Sequence, residues 1–160
     1  MPKQELSSSN NAVYRIALHL VLVTKYRRKV LTPKVLARCI QLVETTCGRW
    51  GSTVLECNGE ADHVHVLMEI PPRVRPSDLV NNMKTVTSRL LRKEFEAVRR
   101  AYRKPVLWSP SYCIVSAGGA SLDVLKTYVQ NQQASTKKED RGYPQPGAAG
   151  AKAGACATGS

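Results

Sequence analysis

At 160 residues with a net charge of +12 at pH 7, the chain is sized for one ordinary domain plus an appendage. Its excess of cations points to a polyanionic partner, nucleic acid first. It holds no run of about 18 apolar residues, which excludes a transmembrane helix and argues for no membrane partner, and the stretch Met1–Asn10 lacks the apolar core of a signal peptide. The five cysteines (Cys39, Cys47, Cys57, Cys113, Cys156) are odd in number and show no C-x-x-C spacing, so zinc-finger and disulfide frameworks give way to reduced cytosolic thiols.

Residues 1–11 are polar and Ser/Asn-rich and are expected to form a flexible lead-in. From Ile16 to Thr24 an almost unbroken apolar run reads as a buried strand. His19 interrupts it, either as a core residue or as one that approaches a site on a neighbouring strand. Lys25-Tyr-Arg-Arg-Lys29 follows, four cations around one aromatic. Such a cluster suits phosphate contacts with a base stacked on Tyr26, and a solvated turn is the competing reading.

Thr32-Pro33 opens a helix, with a cap followed by proline at the first helical position. Val35, Leu36, Cys39, Ile40, Val43 and Cys47 recur at three and four, which buries one face, and Gly48 and Gly51 bracket the end. Ser52 to Cys57 reads as a second strand, and Asn58-Gly59 as a hairpin turn. The chain then returns antiparallel into a third strand, Val64 to Ile70, closed by Pro71-Pro72. His63 and His65 stand at its start. With a side-chain period of 2, both imidazoles leave one face of the sheet and can share a divalent cation if a third ligand comes from elsewhere. Otherwise they are hydrogen-bonded residues at a strand end. Burial makes two unpartnered histidines costly, so each needs a partner.

Ser77 is expected to cap a long helix with Leu79, Val80, Met83, Val86, Leu90, Leu91, Phe95 and Val98 as its inner stripe. Its outer side and the residues just beyond carry eight cations between Lys84 and Lys104 against Glu94 and Glu96, either a solvated face or a nucleic-acid contact surface. Tyr112 to Val115 reads as a fourth strand, Gly118-Gly119 as a flexible joint, and Ser121 as the cap of a short last helix. From Ala134 the composition falls to Gly, Ala, Pro, Ser, Thr and Lys, which predicts disorder over 134–160 and leaves 12–133 as the folded domain.

The element order predicts an α+β class, a ferredoxin-like split βαβ fold. Its antiparallel sheet has the first and third strands at the centre and helices on one face, with an additional C-terminal helix. On that last helix Tyr128 and Gln132 are four apart and share one side. A phenol and an amide placed so could face the two imidazoles. Taken alone, Tyr128 is better read as an amphipathic surface residue.

Together, in this order and spacing, these pieces resemble the single-tyrosine HUH transposases (TnpA type) of small insertion sequences that move as single-stranded DNA. The resemblance runs from about Tyr14 to Gln133. It rests on Val23-Thr-Lys-Tyr-Arg-Arg28, Asp62-His-Val-His65 with Pro71-Pro72, Lys84, Trp108 and Tyr128-Val-Gln-Asn-Gln132. It implies His63 and His65 as paired metal ligands, Gln132 as the third, Tyr128 as the nucleophile of a 5′-phosphotyrosine intermediate, and Mg2+ or Mn2+ as cofactor. It further implies single-stranded DNA with hairpin ends as partner, a homodimer whose active sites are completed in trans by the tyrosine helix, and a cytoplasmic, nucleoid-associated protein. Lys25, Tyr26, Arg27, Arg28, Lys84, Arg89 and Arg92 are the candidates for holding DNA. The Gly/Ala-rich tail lies outside the family pattern. Two other classes stand beside this one: a non-catalytic hairpin or nucleic-acid binder on the same fold, and a metal phosphodiesterase in which water attacks. Replication initiators and relaxases share the two-histidine strand but are usually larger, and rank lower.

Overall fold

The computed structural model describes residues 6–9 and 12–117. The expected last helix, the Gly118-Gly119 joint, Tyr128, Gln132 and the Gly/Ala-rich tail lie outside them.

In chain order the elements are β1 (Ser7–Ser9), β2 (Ala12–Tyr14), β3 (Ala17–Val23), a 3-10 turn (Lys25–Arg27), α1 (Pro33–Arg49), β4 (Thr53–Gly59), β5 (His63–Glu69), α2 (Pro76–Glu94), α3 (Glu96–Arg100) and β6 (Cys113–Ser116). The four longer strands form one sheet in the order β4-β5-β3-β6, with every neighbouring pair antiparallel. The expected ferredoxin-like arrangement is thus present, with the first and third of these strands at its centre. Part of the expected lead-in is ordered: β1 pairs with β2, and the Ser7 hydroxyl donates to the Glu69 carboxylate.

Alternation decides the layers. Leu20, Leu22, Val64, Val66 and Met68 point to the side where α1 and α2 pack, and all are at most 1% exposed. The intervening residues Val21 and Val23 join Cys113 and Val115 in a smaller cluster on the opposite face. Because Val21 pairs with His65 and Val23 with His63, both histidines leave the sheet on that opposite face.

α1 begins and ends as its sequence dictates. The Thr32 hydroxyl accepts the Val35 N–H at 3.4 Å, and Pro33 follows the cap. At the other end the Ser52 N–H reaches the Cys47 carbonyl (2.9 Å) and the Gly51 N–H the Gly48 carbonyl (3.0 Å), with Gly51 at φ 69°. This is the bond pattern of a glycine-terminated helix, and it needs the left-handed backbone that glycine adopts without strain.

Two local expectations are corrected. Asn58-Gly59 does not form the hairpin turn: both residues belong to β4 and pair with His65 and Val64, and the turn is made by residues 60–62, closed by a Glu60 N–H to His63 carbonyl bond of 2.9 Å. Gly59 is required for a different reason, since a Cβ there would lie 2.4 Å from the His63 carbonyl oxygen. The long helix begins at Pro76 rather than after a Ser77 cap, and it breaks at Phe95, whose φ of −121° and ψ of 108° are extended. No glycine or proline marks that break. It redirects the chain so that Val98 and Tyr102 enter the core.

Candidate active site at one end of the sheet

The end of β3, the turn before β5 and the segment 107–109 converge through backbone bonds. Thr24 N–H donates to the Asp62 carbonyl (2.9 Å), Lys25 N–H to Leu107 (2.8 Å), and Ser109 N–H to Val23 (2.8 Å). The Thr24 hydroxyl donates to the carbonyls of Arg28 (2.8 Å) and Asp62 (3.1 Å). The Tyr102 hydroxyl donates to the Lys25 carbonyl at 3.0 Å. So held, the 3-10 turn carries two non-glycine residues in the left-handed region, Tyr26 at φ 59° and Arg27 at φ 49°. Such conformations cost free energy and persist where surrounding contacts over-determine them.

His63 and His65 lie beside each other with ring centroids 5.0 Å apart and planes at 82°. Asp62 organises them. One carboxylate oxygen meets His63 Nδ1 at 2.7 Å, and the other accepts from Arg27 Nε and Nη2 at 3.0 and 2.9 Å. Burial alone would raise the Asp62 carboxyl, but the hydrogen bond to His63 and the charge of Arg27 hold it below its ordinary value. An ionised acceptor at Nδ1 makes that nitrogen the donor and leaves Nε2 with a free lone pair, the form a metal ligand needs. His65 is shifted toward its neutral, ligating form: burial lowers its pKa, and the neighbouring His63 adds to the effect. His19 lies close enough to His65 to act on it electrostatically in the same direction.

Two adjacent imidazoles are a donor pair that fits a divalent cation. Glu60, Asp62 and His63 bring ligand atoms within 4.8 Å of one another, the one such acidic and histidine group among the described residues. Both Asp62 oxygens are already engaged, which makes Asp62 a support for His63 rather than a free ligand. Its role was not read from the sequence. A carboxylate directly preceding the paired histidines was the available signal.

The predicted DNA-holding residues fall in two places. Lys84, Arg89 and Arg92 line a cleft of about 380 Å³ between α2 and residues 105–108. Lys84 Nζ donates to the carbonyls of Ser109 and Pro110, each at 2.9 Å, and burial lowers its pKa. The Arg92 Nε is buried without a hydrogen-bond partner. Lys25, Tyr26 and Arg28 instead border a second pocket, of about 650 Å³, together with Tyr102, Arg103 and Lys104. Arg27 is turned away to Asp62. Tyr102 was missed because it comes to Lys25 from 77 residues away, a proximity that no local pattern carries.

No described helix is long and apolar enough to cross a membrane. Cys39, Cys47, Cys57 and Cys113 are free thiols. Burial pushes Cys39 and Cys57 up to about 12 and Cys47 to about 11, so they are inert core residues.

Comparison with known proteins matches residues 12–132 to the family described as IS200-like transposases. The ISDra2 transposase TnpA of Deinococcus radiodurans is 25% identical over 128 residues, covering 80% of this chain and 91% of that protein. The IS200 transposase of Salmonella typhimurium is 27% identical over 130 residues, covering 81% and 85%. A crystal structure of a protein assigned as a transposase in Deinococcus radiodurans R1 superposes with a TM-score of 0.73 at 25% identity, covering 79% of this chain and 97% of that one.

Proposed function

The chain belongs to the IS200-like transposase family, and from that premise we propose that it cleaves and rejoins single-stranded DNA at insertion-sequence ends through a 5′-phosphotyrosine on Tyr128. The observation that carries this reading is the Asp62–His63 pair, which engages Nδ1 of one imidazole and leaves its Nε2 for a ligand, beside the second imidazole of His65. His63, His65 and Gln132 hold a divalent cation, Mg2+ or Mn2+. When bound, it supplies Lewis-acid polarisation of the scissile phosphate and neutralises charge developing there.

The residues of the chain do the rest. A phenol with an ordinary pKa near 10 is a weak nucleophile, so Tyr128 must be presented in line with the phosphorus. Its oxygen bonds to phosphorus as the P–O3′ bond breaks; the phenolic proton leaves and the departing 3′ oxygen takes one up. The new phosphotyrosyl ester retains the bond for rejoining, and no nucleotide cofactor is needed. One tyrosine per site requires two sites to exchange two strands, which supports a homodimer with each tyrosine helix completing its partner's site. Lys25, Tyr26, Arg28, Lys84, Arg89 and Arg92 hold the DNA and its hairpin ends, while Arg27 acts on the site through Asp62.

One gel tests the reading. The protein incubated with a single-stranded DNA hairpin and Mg2+ or Mn2+ is expected to yield a denaturation-resistant protein–DNA adduct that Tyr128→Phe abolishes. Cleavage without any adduct would mean that water attacks, and binding without cleavage would leave a hairpin binder on this fold.

A further inference from the structure

Arg28 is held in an unusual way. Its guanidinium lies 5.1 Å from the centroid of Tyr102 and 5.7 Å from that of Tyr26, so both rings border it. Tyr102 is 6% exposed and anchored by its hydroxyl, whereas Tyr26 is 51% exposed on a strained left-handed turn. No hydrogen bond or ion pair of the Arg28 side chain occurs among the described residues, which leaves its planar fork of donors unspent. Lys25, Arg103 and Lys104 border the same pocket, whose volume of about 650 Å³ lies within the range that takes small ligands. The site contains an exposed aromatic face, a stacked guanidinium and three further cations. None of its described lining residues is acidic.

Each part answers to one part of a nucleotide. An exposed ring stacks a base, ammonium groups meet its phosphates, and a fixed guanidinium reads an edge with two adjacent acceptors. Guanine offers that pair in O6 and N7, on the edge away from its sugar, the commonest specific arginine contact; cytosine's O2 and N3 are also adjacent acceptors, but its O2 lies beside the sugar, where the strand's own backbone crowds a guanidinium. We propose that this pocket seats one unpaired guanine nucleotide of a DNA strand, with Tyr26 stacking its base, Arg28 reading its edge, and Lys25, Arg103 and Lys104 holding its phosphates. Thr24 bonds both the Arg28 and the Asp62 carbonyls, which ties the turn that carries this pocket to the turn that carries the histidine pair. The inference rests on the single-stranded DNA reading above and adds that the protein itself reads a base.

The test is fluorescence anisotropy on the full chain in a Tyr128→Phe background, which prevents covalent capture. The probes are a labelled oligothymidine and the same strand carrying one central guanine, adenine or cytosine. The guanine strand is expected to bind about tenfold more tightly than the others, the magnitude of one bidentate contact. Arg28→Lys keeps the charge but loses the fork, and should bring that ratio close to one. Tyr26→Asn, which tolerates the left-handed backbone, should weaken all four strands alike by about tenfold. Equal native affinity for the four strands overturns the proposal, as does a guanine preference that survives Arg28→Lys. An adduct on Tyr128 without base preference would sink this inference alone, and a preference without an adduct would sink only the catalytic reading.

Discussion

Asp62 shows how much one side chain can settle. With one oxygen on His63 and the other on Arg27, it fixes an imidazole orientation and ties the basic turn to the histidine strand. Asp62→Asn is expected to weaken Mn2+ binding about 10- to 100-fold, read by isothermal titration against the parent protein. Unchanged affinity would remove the supporting role assigned to Asp62. The titration of the site follows from the same contacts. The folded pKa of His65 lies below its ordinary 6.5, so the unfolded chain takes up a proton first as pH falls. Stability contributed here is complete above about pH 6.5 and is lost below it. Asp62 is also depressed, and its contribution is present above its ordinary 3.8 and lost only at lower pH. Thermal melts of metal-free protein should therefore decline below about pH 6.5, and His65→Gln should flatten that upper part of the decline while leaving the acid limb.

Among the elements, the turn into β5 decides where the histidines begin. Asn58-Gly59 carries the local chemistry of a tight turn, yet both residues extend β4, and the turn falls on residues 60–62. What selected this register was backbone proximity: only a residue without Cβ fits against the His63 carbonyl. Gly59→Ala is accordingly expected to destabilise the fold by about 1–3 kcal/mol in urea unfolding, through overpacking at the start of the histidine strand. Gly48 makes the contrast. It lies in α1 with open space where a Cβ would stand, so Gly48→Ala should stabilise by about 0.5–1 kcal/mol. The break at Phe95 has a similar origin. The helical stripe through Leu91, Phe95 and Val98 was legible, but the core recruited Val98 and Tyr102 by bending the chain rather than by continuing the helix.

At the scale of the whole molecule, seven of the described cations gather in two places: Lys84, Arg89 and Arg92 at the cleft beside α2, and Lys25, Arg28, Arg103 and Lys104 at the pocket beside the 3-10 turn. The logarithm of nucleic-acid affinity should fall linearly with the logarithm of salt concentration. Replacing both Arg89 and Arg92 by Gln should reduce that slope by about 1.4 on single strands, at about 0.7 for each phosphate left unneutralised. An unchanged slope would show that the α2 cleft touches no phosphate.

The alternation of the strands, the start of α1 and the paired histidines are matters of period and local chemistry, so the sequence determined them unaided: alternation placed His63 and His65 on one face, and Thr32-Pro33 started α1. The order of strands followed from the order of elements, since a split βαβ unit has one low-cost way to close its sheet. Only the tertiary structure could decide that Asp62 serves His63 and Arg27, that Tyr102 comes to Arg28 and Lys25, and that Gly59 extends a strand. Those outcomes depend on side chains and carbonyls distant in the chain competing for one small volume, and no period or short motif records which of them wins.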